Sequence, residues 1–306
     1  MRQDEISSAR STKAERQRAI QLNKYYTRPE IARQCSALLE RHLGPETLII
    51  EPSAGAGAFL HATNRAVFAY DLAPDHPDII TRNFLVNELA PVFREIGDVA
   101  MVGNPPFGRR SSLAVAFLNR ALQTAHTVGF ILPSAFERWD TQRKVRSDAQ
   151  LVLSHKLPKD AFTLVGRPYG LQCVFQVWTL LDNGVNLRLR SAPPISHPHF
   201  DIMEYCPDAP LSERHFSSRW DFAVRFQGHH DYRLSFSADD CDRRYHWMMF
   251  NATEEHALSR LLMIDFADLS RARSTIPGFA RADVVARYGA MTDASAKGLG
   301  SEEMAK

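Results

Sequence analysis

The chain is short of several features that assign a protein to a class at a glance. Its four cysteines, Cys35, Cys173, Cys206 and Cys241, are scattered without the short spacings of a metal site, which points to buried thiols in a reducing compartment. No apolar run approaches the roughly 20 residues that a membrane helix needs. Residues 1–20 (MRQDEISSARSTKAERQRAI) lack an apolar signal core, so the sequence predicts an unsecreted, cytoplasmic protein with no membrane partner. An excess of one charge is missing too: 37 Lys and Arg against 35 Asp and Glu leave +2, a balance that does not announce a nucleic-acid binder. There is no internal repeat. What remains is 306 residues, 44% apolar and 24% charged, enough for one large domain or a domain with an extension.

Lysine is absent from residues 211–290, where 11 arginines stand against 11 acids. Arginine's flat fork suits phosphates and base edges better than lysine does; surface ion pairs would use the same residues. Arg2, Arg10, Lys13, Arg16, Arg18, Lys24 and Arg28 face only Asp4, Glu5 and Glu15 near the start of the chain. Residues 1–22 read as a basic helix or arm.

Pro29 opens a helix with Ile31, Ala32, Cys35, Leu38 and Leu39 at helical spacing, and Gly44-Pro45 ends it. Short apolar runs follow at 47–51, 66–71, 98–103, 127–133, 149–155 and 172–181. Runs of that kind alternating with helices predict an α/β fold with a parallel sheet covered on both faces, the last run as an antiparallel edge. After residue 183 the texture turns proline-rich and irregular, which places a boundary near 185–190. The expected organisation is a domain over 23–187, a small α+β extension over 188–290 and a disordered tail over 291–306. Within the extension, strands are expected at 220–226 and 231–236 and a helix at 253–270.

In LIIEPSAGAGAFL (48–60) a strand runs into Gly55 and Gly57 and then a helix. Glycines at such a turn let the backbone approach a ligand, and the helix start offers free N–H groups. Asp71 ends the next strand in AYDLAP, where a carboxylate can hold both hydroxyls of a ribose. A nicotinamide, a flavin and S-adenosylmethionine all fit that much. Leu60 stands where GxGxxG has its third glycine, and Glu51-Pro52 precede the turn. A carboxylate there repels a pyrophosphate and suits a cofactor with an ammonium and a sulfonium, so the reading is S-adenosylmethionine.

Run 98–103 stops at Asn104-Pro105-Pro106-Phe107, because proline has no N–H for a ladder and fixes φ. With YYTRPEIA (25–32) upstream, the order of YYTRPEIA, EPSAGAGAFL, AYDLAP and GNPPFG resembles that of the adenine-N6 amino-methyltransferases, especially the gamma-class DNA enzymes. The resemblance spans about residues 23–182. It implies a Rossmann-like class I methyltransferase sheet and S-adenosylmethionine as cofactor. It further implies that Tyr26 and Thr27 close over the methionine moiety, and that Glu51, Pro52, Ser53, Ala54, Gly55 and Gly57 surround its amino-acid end. Asp71 then holds the ribose, with Leu72 and Asn104 in the same set, and Asn83-Phe84 lie beside the adenine where the family has Asp-Phe.

The chemistry explains why such a loop would need these residues. The exocyclic nitrogen of adenine is a poor nucleophile because its lone pair is delocalised into the ring. The Asn104 side-chain carbonyl and the Pro105 backbone carbonyl would accept its two N–H hydrogens, held rigid by the prolines. Phe107 would stack the extruded base, returning about 1–3 kcal/mol of the extrusion cost. Arg109 and Arg110 would grip a neighbouring phosphate, or stand solvated. His197, His199, His229 and His230 lack partners at ligand spacing, so no metal is expected; Glu137, Arg138 and Trp139 read as packing.

Trp220, Phe222, Arg225, Phe226, Tyr232, Arg233, Arg243, Arg244, Tyr245 and Trp247 together favour a nucleic-acid partner. DNA comes first, then RNA, then glutamine in protein, then a binding protein without catalysis. A segment this short predicts relaxed or short-site specificity. Oligomeric state is not encoded legibly.

Overall fold

The computed structural model describes residues 25–87, 93, 98–164, 166–182, 184–228, 231–271 and 277–302. The basic arm expected over 1–22 lies outside them. The chain divides into two compact units, Met1–Arg190 and Ser191–Lys306.

In the first unit, strand β1 (Tyr26–Thr27) leads into helix α1 (Pro29–Glu40), which has proline in its first turn and buries Ile31, Ala32, Cys35 and Leu39. Then come β2 (Leu48–Glu51), β3 (Val67–Asp71), β4 (Ile80–Thr81), β5 (Val99–Gly103), helix α2 (Ser112–Ala121), β6 (Thr127–Pro133), the single turn α3 (Trp139–Gln142) and β7 (Gln150–Lys156). A short β8 (Phe162–Leu164), β9 (Arg167–Tyr169) and the long β10 (Cys173–Thr179) complete it.

Seven strands form one sheet in the order β4-β3-β2-β5-β6-β10-β7. The pairings β4-β3, β3-β2, β2-β5 and β5-β6 are parallel, and β10 runs antiparallel to both neighbours. Successive residues face opposite sides of the sheet. Ile50, Met101, Phe130 and Trp178 therefore enter one core while Ile49, Val102, Ile131 and Phe175 enter the other. The unit is therefore α/β, with a mixed sheet that carries a core on each face.

One expectation is corrected here. The antiparallel strand is not the edge: all seven residues of β10 are buried, and β7, whose Ser154 and Lys156 are exposed, lies outside it. A strand buried on both faces and both sides has to be as apolar as CVFQVWT. The buried Gln176 is tolerated because its amide donates to Phe136 O (3.2 Å) and Ser154 Oγ (3.2 Å) and its oxygen accepts from Trp178 Nε1 (3.0 Å). Beyond β7, Leu187 N donates to Leu151 O at 2.7 Å. The Arg188 guanidinium donates to the carbonyls of Gln142, Val145, Arg146 and Ala149 at 2.6–3.0 Å.

Strand β1 belongs to a second, three-stranded sheet, β1-β8-β9, all antiparallel.

The second unit contains a four-stranded antiparallel sheet in the order β11-β14-β12-β13, made of β11 (Phe200–Tyr205), β12 (Phe222–Arg225), β13 (Leu234–Ser235) and β14 (Trp247–Ala252). Phe222 and Phe250, directly paired, stack at 4.8 Å and 15° in the core that helices α4 (Glu255–Leu262), α5 (Phe266–Arg271) and α6 (Arg281–Glu302) cover.

Two of these strands, β11 and β14, lie where no strand was expected. The helix expected over 253–270 is two helices: Asp265 interrupts it, its side chain accepting from Asp268 N at 2.8 Å as a cap does. The segment after 290, expected as a disordered tail, continues α6 to Glu302; Ala, Met and Lys in it are good helix formers.

Candidate active site

A cavity of about 460 Å³ opens at the carboxyl ends of β2, β3 and β5, where ligands bind in open α/β sheets. The strands deliver its polar groups. Glu51 closes β2, Asp71 closes β3, and Asn104 follows β5; all three line the cavity.

After Glu51 the chain turns through Gly55 at φ +54° and Gly57 at φ +84°, values that favour glycine. A Cβ on Gly55 would stand 3.3 Å from Tyr26 Cε1, a tight contact from which the ring would have to shift by a few tenths of an ångström. Pro52, Ser53, Ala54 and Gly55 line the cavity, with Tyr26 and Thr27 above them. The helix expected after the glycines is absent. Residues 55–61 are successive turns closed by i→i+3 bonds, Gly57 N to Ala54 O (2.7 Å) and Leu60 N to Gly57 O (3.1 Å). Gly57 consequently lies outside the lining, against His76 and Leu60.

The Asp71 carboxylate accepts from Gly55 N through Oδ2 and from Ala73 N through Oδ1, both at 2.8 Å. Each oxygen keeps a second lone pair. Leu72 lines the cavity and is largely exposed. Asn83 and Phe84 line it as well. Asn83 Oδ1 accepts from Leu85 N at 3.1 Å, a local side-chain turn of the kind Asn makes. Phe84 is buried, its ring 5.3 Å from that of Phe117.

Four buried side-chain atoms of the cavity wall have no partner among the described residues: Thr27 Oγ1, Glu51 Oε2, Ser53 Oγ and Asn104 Oδ1. Buried polar atoms are nearly always paired, so four orphans on one wall mark a place built for polar contacts with a ligand. Glu51 is 1% exposed. Burial, with the charge of Asp71 added, pushes its carboxyl up to about 8. The Asn104 amide nitrogen donates to Tyr25 O at 3.0 Å, which leaves the carbonyl end as the orphan.

Of the rest of the loop, Pro106 lines the cavity, whereas Pro105 is buried beside it. Phe107 is half-buried, packs against the cores on both sides of the sheet and is not in the lining. A Cβ on Gly108 would meet Leu113 Cγ at 2.7 Å, and Arg110 (φ +51°) and Ser111 (φ +62°) are held in the left-handed region. Arg109 and Arg110 are exposed on this turn.

Among the wall residues that sequence reasoning missed are Tyr25, Arg82, Leu113 and Phe117. Tyr25 adjoins a residue already singled out, and Leu113 and Phe117 share a helix face at i, i+4 just after the loop. Arg82 gave no signal; it lies over the Tyr70 ring at 5.3 Å.

In the second unit, Phe222, Phe226, Tyr232 and Trp247 are buried core residues, a correction to their reading as contacts for a partner. Several arginines there are ion-paired: Arg233 with Asp231 (2.7 Å), Arg243 with Glu213 (2.9 Å) and Arg244 with Asp242 (2.6 Å). Arg225 lies over the rings of Tyr245 (4.1 Å) and Trp247 (5.2 Å). His197 stacks on Phe200, and His199 Nδ1 is 3.0 Å from Tyr288 Oη; His229 and His230 lie outside the described residues. Among the described residues no group of three or more His, Cys, Asp or Glu could hold a metal ion, and no helix is long and apolar enough to cross a membrane. Glu137 reaches Lys156 at 4.0 Å, and Trp139 packs under Arg143.

No family model and no curated protein matches the chain. Its fold is similar to solved structures at low identity. They include a modification subunit of a putative type I restriction enzyme from Vibrio vulnificus YJ016 (13% identity, 53% of this chain and 48% of that one, TM-score 0.38). The M protein of the type I restriction enzyme EcoKI is another (16%, 51% and 44%, TM-score 0.37). The type IIL restriction-modification enzyme MmeI, in complex with DNA, is a third (10%, 83% and 63%, TM-score 0.43). The chain spans about half the length of the first two.

Proposed function

We propose that the protein transfers a methyl group from S-adenosylmethionine to the exocyclic N6 of an adenine in DNA, the base being extruded toward the Asn104-Pro105-Pro106-Phe107 loop. The observation that carries this reading is the side chain of Asn104, a residue of the cavity wall, whose carbonyl oxygen is buried and has no partner among the described residues. A fixed, desolvated acceptor of that kind suits an amino group whose N–H bonds become more acidic as its nitrogen attacks the methyl carbon; the C–S bond breaks to leave the neutral thioether, and the extra N–H proton passes to water. An amide has no proton to gain or lose in ordinary water, so it serves as an acceptor at any working pH.

The cavity's donor set fits the cofactor. Glu51 and Ser53 offer a carboxylate and a hydroxyl to an ammonium group, Asp71 offers lone pairs to ribose hydroxyls, and Tyr26 with Gly55 closes over the glycine turn. Bound there, S-adenosylmethionine supplies an electrophilic methyl group on a sulfonium, which needs no metal. The chain's own residues supply the rest. Asn104 and the Pro105 carbonyl orient the amino group, Phe107 offers the exposed part of its ring to the base, and Arg109 and Arg110 attract a flanking phosphate. The second unit is the candidate for added nucleic-acid contact through Arg225, Arg244 and Tyr245.

The test is transfer of tritium from labelled S-adenosylmethionine to unmethylated duplex DNA, total RNA and a protein lysate side by side. Label in DNA supports the reading. Label only in RNA or only in protein replaces the substrate, and no label in any acceptor overturns the reading.

A further inference from the structure

Asn104 is useful as an acceptor only while its amide keeps one of two orientations. With Nδ2 toward Tyr25 O the hydrogen bond is made at 3.0 Å. Turned over, two carbonyl oxygens would face each other. The backbone carbonyl of Tyr25 therefore selects the orientation, and whatever fixes Tyr25 fixes Asn104. An unpaired buried carbonyl is costly, and the amide would rotate to relieve it if that anchor moved.

Tyr25 is fixed from one direction by Tyr169, whose ring lies 5.2 Å away at 32°. Burial and the neighbouring Tyr169 hydroxyl both hold the Tyr25 phenol above its ordinary range. Tyr169 ends β9 opposite Phe162 of β8, and Phe162 in turn pairs with Thr27 of β1. The three-stranded sheet thus returns to the Tyr25-Tyr26-Thr27 stretch both through the strand register and through the ring pair. Tyr169 itself is not part of the cavity wall.

We propose that Tyr169 is a positioning residue for Asn104, acting through Tyr25. The proposal rests on the reading of Asn104 as the amino-group acceptor. It assigns to the small sheet β1-β8-β9 the task of holding the acceptor's amide.

The experiment uses full-length protein labelled with ¹⁵N-asparagine. The Asn104 side-chain amide signal, assigned by its loss in Asn104→Ser, is followed by hydrogen exchange. One of its two protons is expected to be protected. In Tyr169→Ala the protection and the single-turnover rate at saturating cofactor should both fall about tenfold or more, with cofactor affinity within about threefold. Tyr169→Phe, which keeps the ring, should restore both. Tyr169→Leu keeps apolar bulk without the ring and should behave as Tyr169→Ala does, so a poorly folded alanine variant does not decide the matter. Unchanged protection in the folded variant lacking the ring overturns the proposal. Absence of methyl transfer by the unaltered protein would remove the functional reading instead, and the exchange measurement would still decide whether Tyr169 holds the amide.

Discussion

Glu51 and Asp71 close two neighbouring parallel strands, and the charge of Asp71 adds to the burial of Glu51 in pushing the Glu51 carboxyl up to about 8. The pair makes one wall of the cavity acidic, with one carboxyl neutral at physiological pH until a cation arrives.

That arrangement predicts how cofactor binding depends on pH. Pairing Glu51 with an ammonium requires the carboxylate, so binding should release a proton below about pH 8 and strengthen as pH rises toward about 8. Titration calorimetry between pH 6 and 9, in buffers of different ionisation enthalpy, reads the released proton. Glu51→Gln should abolish the release and weaken binding. The linked stability has the opposite slope. Folded Glu51 keeps a proton that the unfolded chain loses above the ordinary 4.5, so its contribution falls as pH rises from about 4.5 to about 8. The melting temperature of Glu51→Gln relative to the unaltered protein should therefore rise across that window.

Phe107→Ala is predicted to cost about 1–3 kcal/mol of transition-state stabilisation if an extruded base stacks on the ring. Because Phe107 also packs against both cores, the variant should melt at lower temperature as well. Comparing kcat/KM on duplex substrate with the value for an abasic-opposed or mismatched target separates the two. An unchanged kcat/KM on duplex would show that no base is extruded onto Phe107.

Gly108 tests the loop itself. Alanine there brings a Cβ within 2.7 Å of Leu113 Cγ at a φ of +68°. Gly108→Ala should displace the Phe107–Arg109 turn and depress turnover more than cofactor affinity, measured by parallel kinetics and equilibrium binding. Equal losses in both would argue that the turn supports the cofactor cavity as a whole.

Arg188 holds four main-chain carbonyls at the end of the first unit. Its replacement by methionine keeps length and removes the donors, leaving charge-assisted bonds worth about 1.5–3 kcal/mol unmade. Denaturant unfolding should report a loss of at least that size with methyl transfer retained in the folded fraction.

Much of the site was legible because its residues lie within short stretches whose local conformation their own chemistry dictates. Asp71 ends an apolar run, Glu51 precedes paired glycines, and Asn104 stands before two prolines that stop a strand; each lines the cavity. What was not legible depends on packing between distant segments. The place of β10 between β6 and β7 is a matter of strand order, which no window of sequence encodes. Tyr25 and Tyr169, 144 positions apart, meet only because β1 pairs with β8 and β8 with β9. Phe222 and Trp247 could not be told from surface aromatics because β14, which carries Trp247 and pairs with Phe222, and its neighbour β11 lie in or beside proline-rich and charged stretches. The glycine turn closes without a helix because Gly55 and Gly57 both take positive φ, a local fact invisible in the spacing alone.

The most direct test of the central claim is nucleoside analysis of unmethylated duplex DNA after incubation with S-adenosylmethionine and either the unaltered protein or Asn104→Ala. The account predicts N6-methyladenine with the unaltered protein and a loss of about 100-fold or more in its rate of formation with Asn104→Ala, the scale seen when one preorganised electrostatic contact is removed. N6-methyladenine forming equally fast with both proteins, or methylation of the DNA at another atom, would contradict it.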